Sequence, residues 1–159
     1  MSTNPSMKSF YQSLQEELTS DTGSGSLVTL LSHSESTPRI LRSMPQVDDR
    51  APCLTFLCDY TEPFVDDADV SGLMESLVVF GVWDQNPVNC MEIADRLVYL
   101  ILSGTMCSSP SNKGLNITNP SLSIVNLSTR LKSRDELKFS DEYDIWGSLI
   151  RCVFRWYKT

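Results

Sequence analysis

The feature that most constrains the fold is an apolar run, Leu77–Trp83, that leads directly into a capped helical pattern. The run contains three valines, and a continuous apolar segment rich in β-branched residues is typical of a strand buried on both faces. A short polar break follows, in which Asn86 is placed to cap a helix whose first residue is Pro87. We therefore predict a strand over 74–84 and a helix over 87–103.

Hydrophobic periodicity predicts the remaining elements. They are a helix over 6–19, a short apolar turn or helix over 27–31, a short strand over 39–44, a strand over 52–60, an alternating segment over 122–131 with a slip typical of a β-bulge, and a final strand over 149–157. This order predicts an α+β fold with a mainly antiparallel sheet of about four to five strands and two main helices packed on one face.

The chain length predicts one domain. A chain of 159 residues can bury a substantial core without metals or disulfides. We expect a single domain over 1–159, a loose N-terminus over 1–5, and two long polar loops over 61–73 and 105–120. The first of these is interpreted as a loop or as the tip of an extended hairpin.

The charge distribution argues against a protein that binds nucleic acid by neutralising phosphates, because the formal net charge is −7. The segment 48–75 carries eight acidic residues and a single arginine, Arg50, whereas the C-terminal segment is more basic. Two interpretations stay open: an acidic and a basic end that stack head to tail, or two solvated surfaces without a special role.

Composition also bears on the cellular setting. The N-terminus is polar, and no window approaches the ~18 consecutive apolar residues that a membrane-spanning helix needs, so we expect no membrane association. The five cysteines are odd in number and lie mostly in apolar periodic segments, which favours reduced core thiols.

Candidate catalytic and metal-binding residues lack the partners that the chemistry needs. His33, the single histidine, is accompanied by no Gly-x-Ser-x-Gly motif. Cys53 and Cys58 are five apart on one predicted strand and point to opposite faces, which does not suit one zinc ion. The acidic run around Asp66 and Asp67 lacks the glycine and glutamate of a calcium loop. We therefore expect no catalytic, metal or cofactor site, and a protein that is not an enzyme.

Two predicted surfaces carry exposed arginine or aromatic side chains whose role the pattern leaves open. Arg151, Arg155 and Tyr157 share one face of the last predicted strand, and Tyr99 lies on the otherwise polar side of the 87–103 helix. A half-exposed sheet face is one explanation of the strand pattern. A subunit contact is the other, because arginine and aromatic residues are enriched in such contacts.

Taken in order, these elements resemble a known family. An N-terminal helix, a proline-flanked strand beginning at Ala51-Pro52-Cys-Leu-Thr-Phe, an acidic segment, the Leu77–Trp83 strand with its capped helix, and the closing strand Phe154-Arg-Trp-Tyr157 follow one another. The chain resembles the tail terminator, or tail completion, proteins of long-tailed bacteriophages over roughly residues 8–157. The serine-rich N-terminal third and the 105–120 loop are longer than that pattern needs.

The resemblance implies a structural protein of the virion, assembled in the host cytoplasm and located at the tail–neck junction. It implies a homo-hexameric ring that ends tail-tube polymerisation and joins the tail to the neck or connector proteins, with genomic DNA passing through its lumen without specific binding. The implied partners are the tail tube protein, the neck or connector protein, and the sheath if the tail is contractile; no cofactor is implied.

Site residues follow from that resemblance as expectations. The acids of the 61–73 segment are expected to line the channel or contact the tube: Glu62, Asp66, Asp67 and Asp69. A subunit interface is expected at Tyr99, Arg151, Arg155 and Tyr157, with the two arginines meeting acids of a neighbouring subunit. The alternatives are another neck component (a connector or stopper), a small cytosolic enzyme that uses His33 or a cysteine, and a monomeric cytosolic adaptor domain.

Overall fold

A five-stranded sheet forms the centre of the computed structural model, which describes residues 6–32, 38–42, 52–63, 73–102, 115–140, 142 and 144–159. The strands are β1 (Ile40–Leu41), β2 (Cys53–Pro63), β3 (Leu73–Asp84), β4 (Ile124–Ser140) and β5 (Ile145–Lys158). They lie in the order β1-β2-β3-β5-β4, and every neighbouring pair is antiparallel except the parallel pair β1–β2. The predicted α+β fold with a mainly antiparallel sheet is confirmed.

The helices begin where the sequence predicts. They are α1 (Met7–Thr19), α2 (Leu27–Ser32) and α3 (Pro87–Leu102), with a 3-10 turn over Pro120–Leu122. The Ser6 hydroxyl accepts from the backbone N–H of Ser9 at the start of α1 (3.3 Å). At the start of α3, Asn86 Oδ1 accepts from the backbone N–H of Val88 (2.9 Å), which confirms the predicted cap.

The helices pack on one face of the sheet, and the main core lies between the two layers. Phe10 of α1 contacts two aromatic residues of β5, with its ring centroid 5.9 Å from that of Phe154 and 4.9 Å from that of Trp156. The fully buried core includes Leu14 and Leu18 of α1, Phe56 of β2, Phe80 of β3, and Ile93 and Leu97 of α3. Helices α1 and α3 are thereby fixed against the same sheet face.

The opposite sheet face carries a tryptophan that lies across two glycines. Trp83 of β3 is 4% exposed, and its indole Nε1 donates to Thr55 Oγ1 on β2 (3.1 Å). A Cβ atom at Gly81 would lie 2.6 Å from that indole nitrogen, and one at Gly147, the register partner of Trp83 on β5, would lie 2.7 Å from indole Cζ3. Both glycines are therefore needed to seat the ring.

Four strands differ in length from their predictions. Strand β5 begins four residues before the predicted residue 149, and β2 extends beyond residue 60. The strand predicted over 39–44 is only two residues long. In contrast, β4 continues far beyond the alternation predicted to end at residue 131. Its second half consists mainly of charged residues and serine, with three charged residues in a row at 134–136, so the apolar alternation that marks a strand is missing there. An edge strand tolerates this composition because it is partly open to solvent. The slip that the alternation places between Ile124 and Val125 is not found there. The register shifts of β4 lie further along the strand, between Asn126 and Ser128, between Leu131 and Ser133, and between Lys138 and Ser140.

Strands β2 and β3 form a long hairpin. Their pairing continues to Pro63 and Met74, so the first residues of the segment predicted as a loop over 61–73 belong to a strand. Residues 64–72 lie outside the described part of the chain, as do residues 1–5, His33, and most of the 105–120 segment. Within the described part, none of the helices is both long and apolar enough to cross a membrane.

Candidate assembly surfaces

The end of the β2–β3 hairpin is acidic. Glu62 is exposed and lies directly opposite Glu75 in the strand register. Desolvation, followed by the negative charges of Glu75, Glu62 and Asp59, raises the pKa of the Tyr60 hydroxyl above its ordinary value. Asp66, Asp67 and Asp69, which the sequence groups with Glu62, lie outside the described residues. The described strands therefore bring Glu62 opposite Glu75, an acid that the sequence pattern does not link to Glu62.

The two arginines of β5 lie on the sheet face opposite the helices, as predicted. Arg155 Nε contacts Glu75 Oε2 (2.9 Å), and Arg151 Nη1 contacts Asp135 Oδ2 (2.6 Å). Each arginine thus has a carboxylate in its own chain. Such partly exposed pairs contribute about 0–1 kcal/mol to stability. A role for Arg151 and Arg155 in subunit contact stays a prediction, and a neighbouring subunit would meet ion pairs there.

Tyr157 lies on the same face of β5. Its side chain is half-buried, and its register partners are Leu73 of β3 and Val125 of β4. These three residues form the end of the sheet face that carries Arg155. The structure therefore brings three of the four predicted interface residues onto one face and leaves Tyr99 on the helical layer.

Helix α3 exposes an apolar stripe to solvent. Its members, which we call the α3 stripe, are Val88 (67% exposed), Met91 (51%), Tyr99 (52%) and Leu102 (62%). Their spacings of three, eight and three residues place them on one side of the helix. The sequence pattern distinguishes Tyr99 alone, because the other three residues match the apolar composition of the whole helix. Their exposure depends on how α3 is oriented on the sheet.

Arg96 lies beside the stripe and connects α3 to the N-terminal region. Its guanidinium carbon is 5.2 Å from the centre of the Tyr99 ring. Its Nη2 contacts Asp21 Oδ1 (2.6 Å), and this hydrogen bond, ahead of the opposing effect of burial, raises the pKa of the guanidinium. Arg96 therefore pairs with a residue distant in sequence.

The outer edge of the sheet carries a second exposed patch, on β4. Leu127 is 55% exposed, and Arg130 and Lys132 are also exposed. Leu127 and Lys132 fall at two of the three register shifts of β4, where residues are left out of the regular pairing. The segment 124–133 contains these two basic residues and no acidic one. We call Leu127, Arg130 and Lys132 the β4 patch.

A cleft of about 260 Å³ lies between the start of α3 and strands β4 and β5. Its walls include Met91, Glu136 and Trp146. Burial raises the pKa of the Cys90 thiol at its base, which disfavours the thiolate that a nucleophile requires. Among the residues that the structure describes, no group of three His, Cys, Asp or Glu side chains is placed to hold a metal ion.

Comparison with known proteins gives a similarity in fold. No protein-family model matches the chain, and no curated protein matches it. Among solved structures, the chain is similar to a chain from the virion of a native gene transfer agent particle, with a TM-score of 0.56 over 91% of both chains. The two share a fold. At 11% sequence identity, the likeness extends to the arrangement of helices and strands and not to individual side chains.

Proposed function

We propose that the chain is a structural protein of a bacteriophage-like virion that forms a hexameric ring at the head-proximal end of the tail tube. In this position it ends tube polymerisation and joins the tail to the neck or connector proteins. The observation that carries the proposal is the similarity in fold, over 91% of each chain, to a chain found in a virion. The order of sequence elements from the N-terminal helix to the closing aromatic strand supports the more specific role.

The acidic end of the hairpin suits a surface that faces DNA in transit. Glu62 is exposed there, opposite Glu75, whose carboxylate is paired with Arg155, and Asp66, Asp67 and Asp69 follow in the sequence. A surface of this charge repels the phosphate backbone, so DNA would pass without being held. We therefore place these acids along the lumen or against the tail tube.

Subunit contacts in such a ring need two different surfaces on each copy, because a cyclic ring of more than two copies is built from heterologous contacts. The exposed Tyr99 on α3 is one candidate. The face of β5 that carries Arg151, Arg155 and Tyr157 is another, and its in-chain ion pairs would remain as pairs within the contact.

Particles produced without this protein test the role directly. We expect filled heads that are not joined to tails, together with tails of irregular and excessive length, in electron micrographs. Tails of normal length combined with heads that lose their DNA would instead indicate a connector or stopper. Normal joined particles would contradict any structural role.

Charge neutralisation tests the placement of the acidic segment. The triple variant Asp66→Asn, Asp67→Asn and Asp69→Asn is expected to reduce head–tail joining or DNA delivery, measured as joined particles and infectious titre. A matched control removes three charges elsewhere, with Glu35→Gln, Asp48→Asn and Asp49→Asn. Equal titres for the triple variant and the unmodified protein would refute the placement.

A further inference from the structure

We propose that the α3 stripe of one copy docks on the β4 patch of the next copy. This head-to-tail contact supplies two surfaces that the sequence alone did not pair. That repeated contacts close into a ring rests on the proposed function, whereas the contact itself is argued from the exposure and charge of the two surfaces.

The α3 stripe has the size and composition of a protein contact. Val88 and Leu102 are fourteen residues apart, so the stripe is about 21 Å long at ~1.5 Å of rise per residue. Its four side chains are each more than half exposed, although the other apolar residues of α3 pack into the core. Apolar residues exposed along one line in this way mark an interaction surface.

The exposed acid Glu92 next to the stripe disfavours a symmetric contact between two stripes. Asp95, also on this side of α3, is paired with Arg134 of β4 (2.6 Å), and Arg96 binds the Asp21 carboxylate with two hydrogen bonds. A two-fold contact would bring the Glu92 side of one helix against that of the other, which costs free energy. The stripe therefore fits a surface that is apolar and basic.

The β4 patch has that composition. Leu127 supplies an exposed apolar side chain, and Arg130 and Lys132 supply positive charge. Leu127 and Lys132 are five residues apart, which spans about 16 Å along a strand at ~3.3 Å per residue. This length is comparable to that of the stripe. Because the two surfaces differ, repeated contacts generate a ring or a filament and not a closed dimer.

The first experiment removes the apolar contact. In the double variant Met91→Lys and Tyr99→Lys, we expect self-association measured by sedimentation velocity over a concentration series to weaken by roughly tenfold or more. Both side chains are more than half exposed, so the fold should persist, which a urea unfolding curve checks. Ser24→Lys, at an exposed position in the connection between α1 and α2 and outside the proposed surfaces, is the matched control and should assemble normally.

A charge exchange tests the pairing of the two surfaces. Glu92→Lys and Lys132→Glu are each expected to weaken assembly, and the variant that carries both changes is expected to regain it. If the wild-type chain assembles only on tail tubes, the same comparison is made there. Stripe variants that assemble like the wild type would overturn the docking proposal while leaving the ring intact, and a wild-type chain that stays monomeric even with tubes would overturn both.

Discussion

Asp21 and Arg96, seventy-five residues apart in the sequence, form a two-point ion pair that fastens the α1–α2 connection to α3. Arg96 Nε donates to Asp21 Oδ2 (3.0 Å) and Nη2 donates to Oδ1 (2.6 Å). Asp21 Oδ2 also accepts from the backbone N–H of Leu27 at the start of α2 (2.8 Å). One carboxylate thus orients α2 and holds the helix that carries the α3 stripe.

Replacing this carboxylate should lower stability. We expect Asp21→Asn to reduce the free energy of unfolding by about 1–3 kcal/mol, because Asp21 is 8% exposed and its removal leaves a charged partner without compensation. The Arg96 side chain is 30% exposed, so solvent moderates the loss. The measurement is urea unfolding followed by far-ultraviolet circular dichroism.

Asp95→Asn is the matched control for that substitution. Asp95 Oδ1 also contacts an arginine, Arg134 Nη1 at 2.6 Å, but the Asp95 side chain is 67% exposed. An exposed pair contributes about 0–1 kcal/mol, so this variant should unfold close to the wild type. An equal loss of unfolding free energy in the two variants would show that the buried Asp21 pair contributes no more to stability than an exposed one.

Packing of Trp83 against Gly147 predicts a second sensitive position. Gly147→Ala should destabilise the fold by about 1–3 kcal/mol, because the new methyl group would overlap the buried indole. The test is a double-mutant cycle with Trp83→Leu. The alanine should cost less in the Trp83→Leu background; an unchanged cost would mean that the indole is not what requires glycine.

Burial of Cys152 predicts a protected thiol. Desolvation raises its pKa to about 12, so at about pH 8 the folded chain holds almost no Cys152 thiolate. Iodoacetamide should therefore label the Cys152 peptide only in urea, as read by mass spectrometry. Rapid labelling of the folded chain would contradict the burial.

The raised pKa of Cys152 also predicts how stability depends on pH. The free energy of unfolding should fall as pH rises above about 8.5, since the unfolded thiol then loses its proton and the folded one does not.

The sequence predicted the elements that depend on residues close to one another in the chain. The Asn86 cap and the start of α3 at Pro87 follow from short-range backbone chemistry, and the buried face of β5 follows from strict alternation. The helical length of α1 follows from its apolar spacing. Each of these depends on residues within a few positions of one another, which is the range that a sequence pattern captures.

Contacts between residues far apart in the sequence could not be predicted from such local patterns. The Glu92–Arg96 spacing is a favourable helical pair, yet Arg96 contacts Asp21 because tertiary packing brings α3 against the α1–α2 connection. The ion pairs Arg155–Glu75 and Arg151–Asp135 depend on strand register, which the sequence did not determine. The exposure of the α3 stripe likewise depends on which side of the helix the sheet covers.

Native mass spectrometry of the purified protein over a concentration series, alone and with the tail tube protein, shows whether the chain assembles into the proposed ring. We expect a hexamer in at least one of the two preparations, with a ring visible by electron microscopy. A chain that remains monomeric in both would contradict the proposal that it forms the ring at the end of the tail.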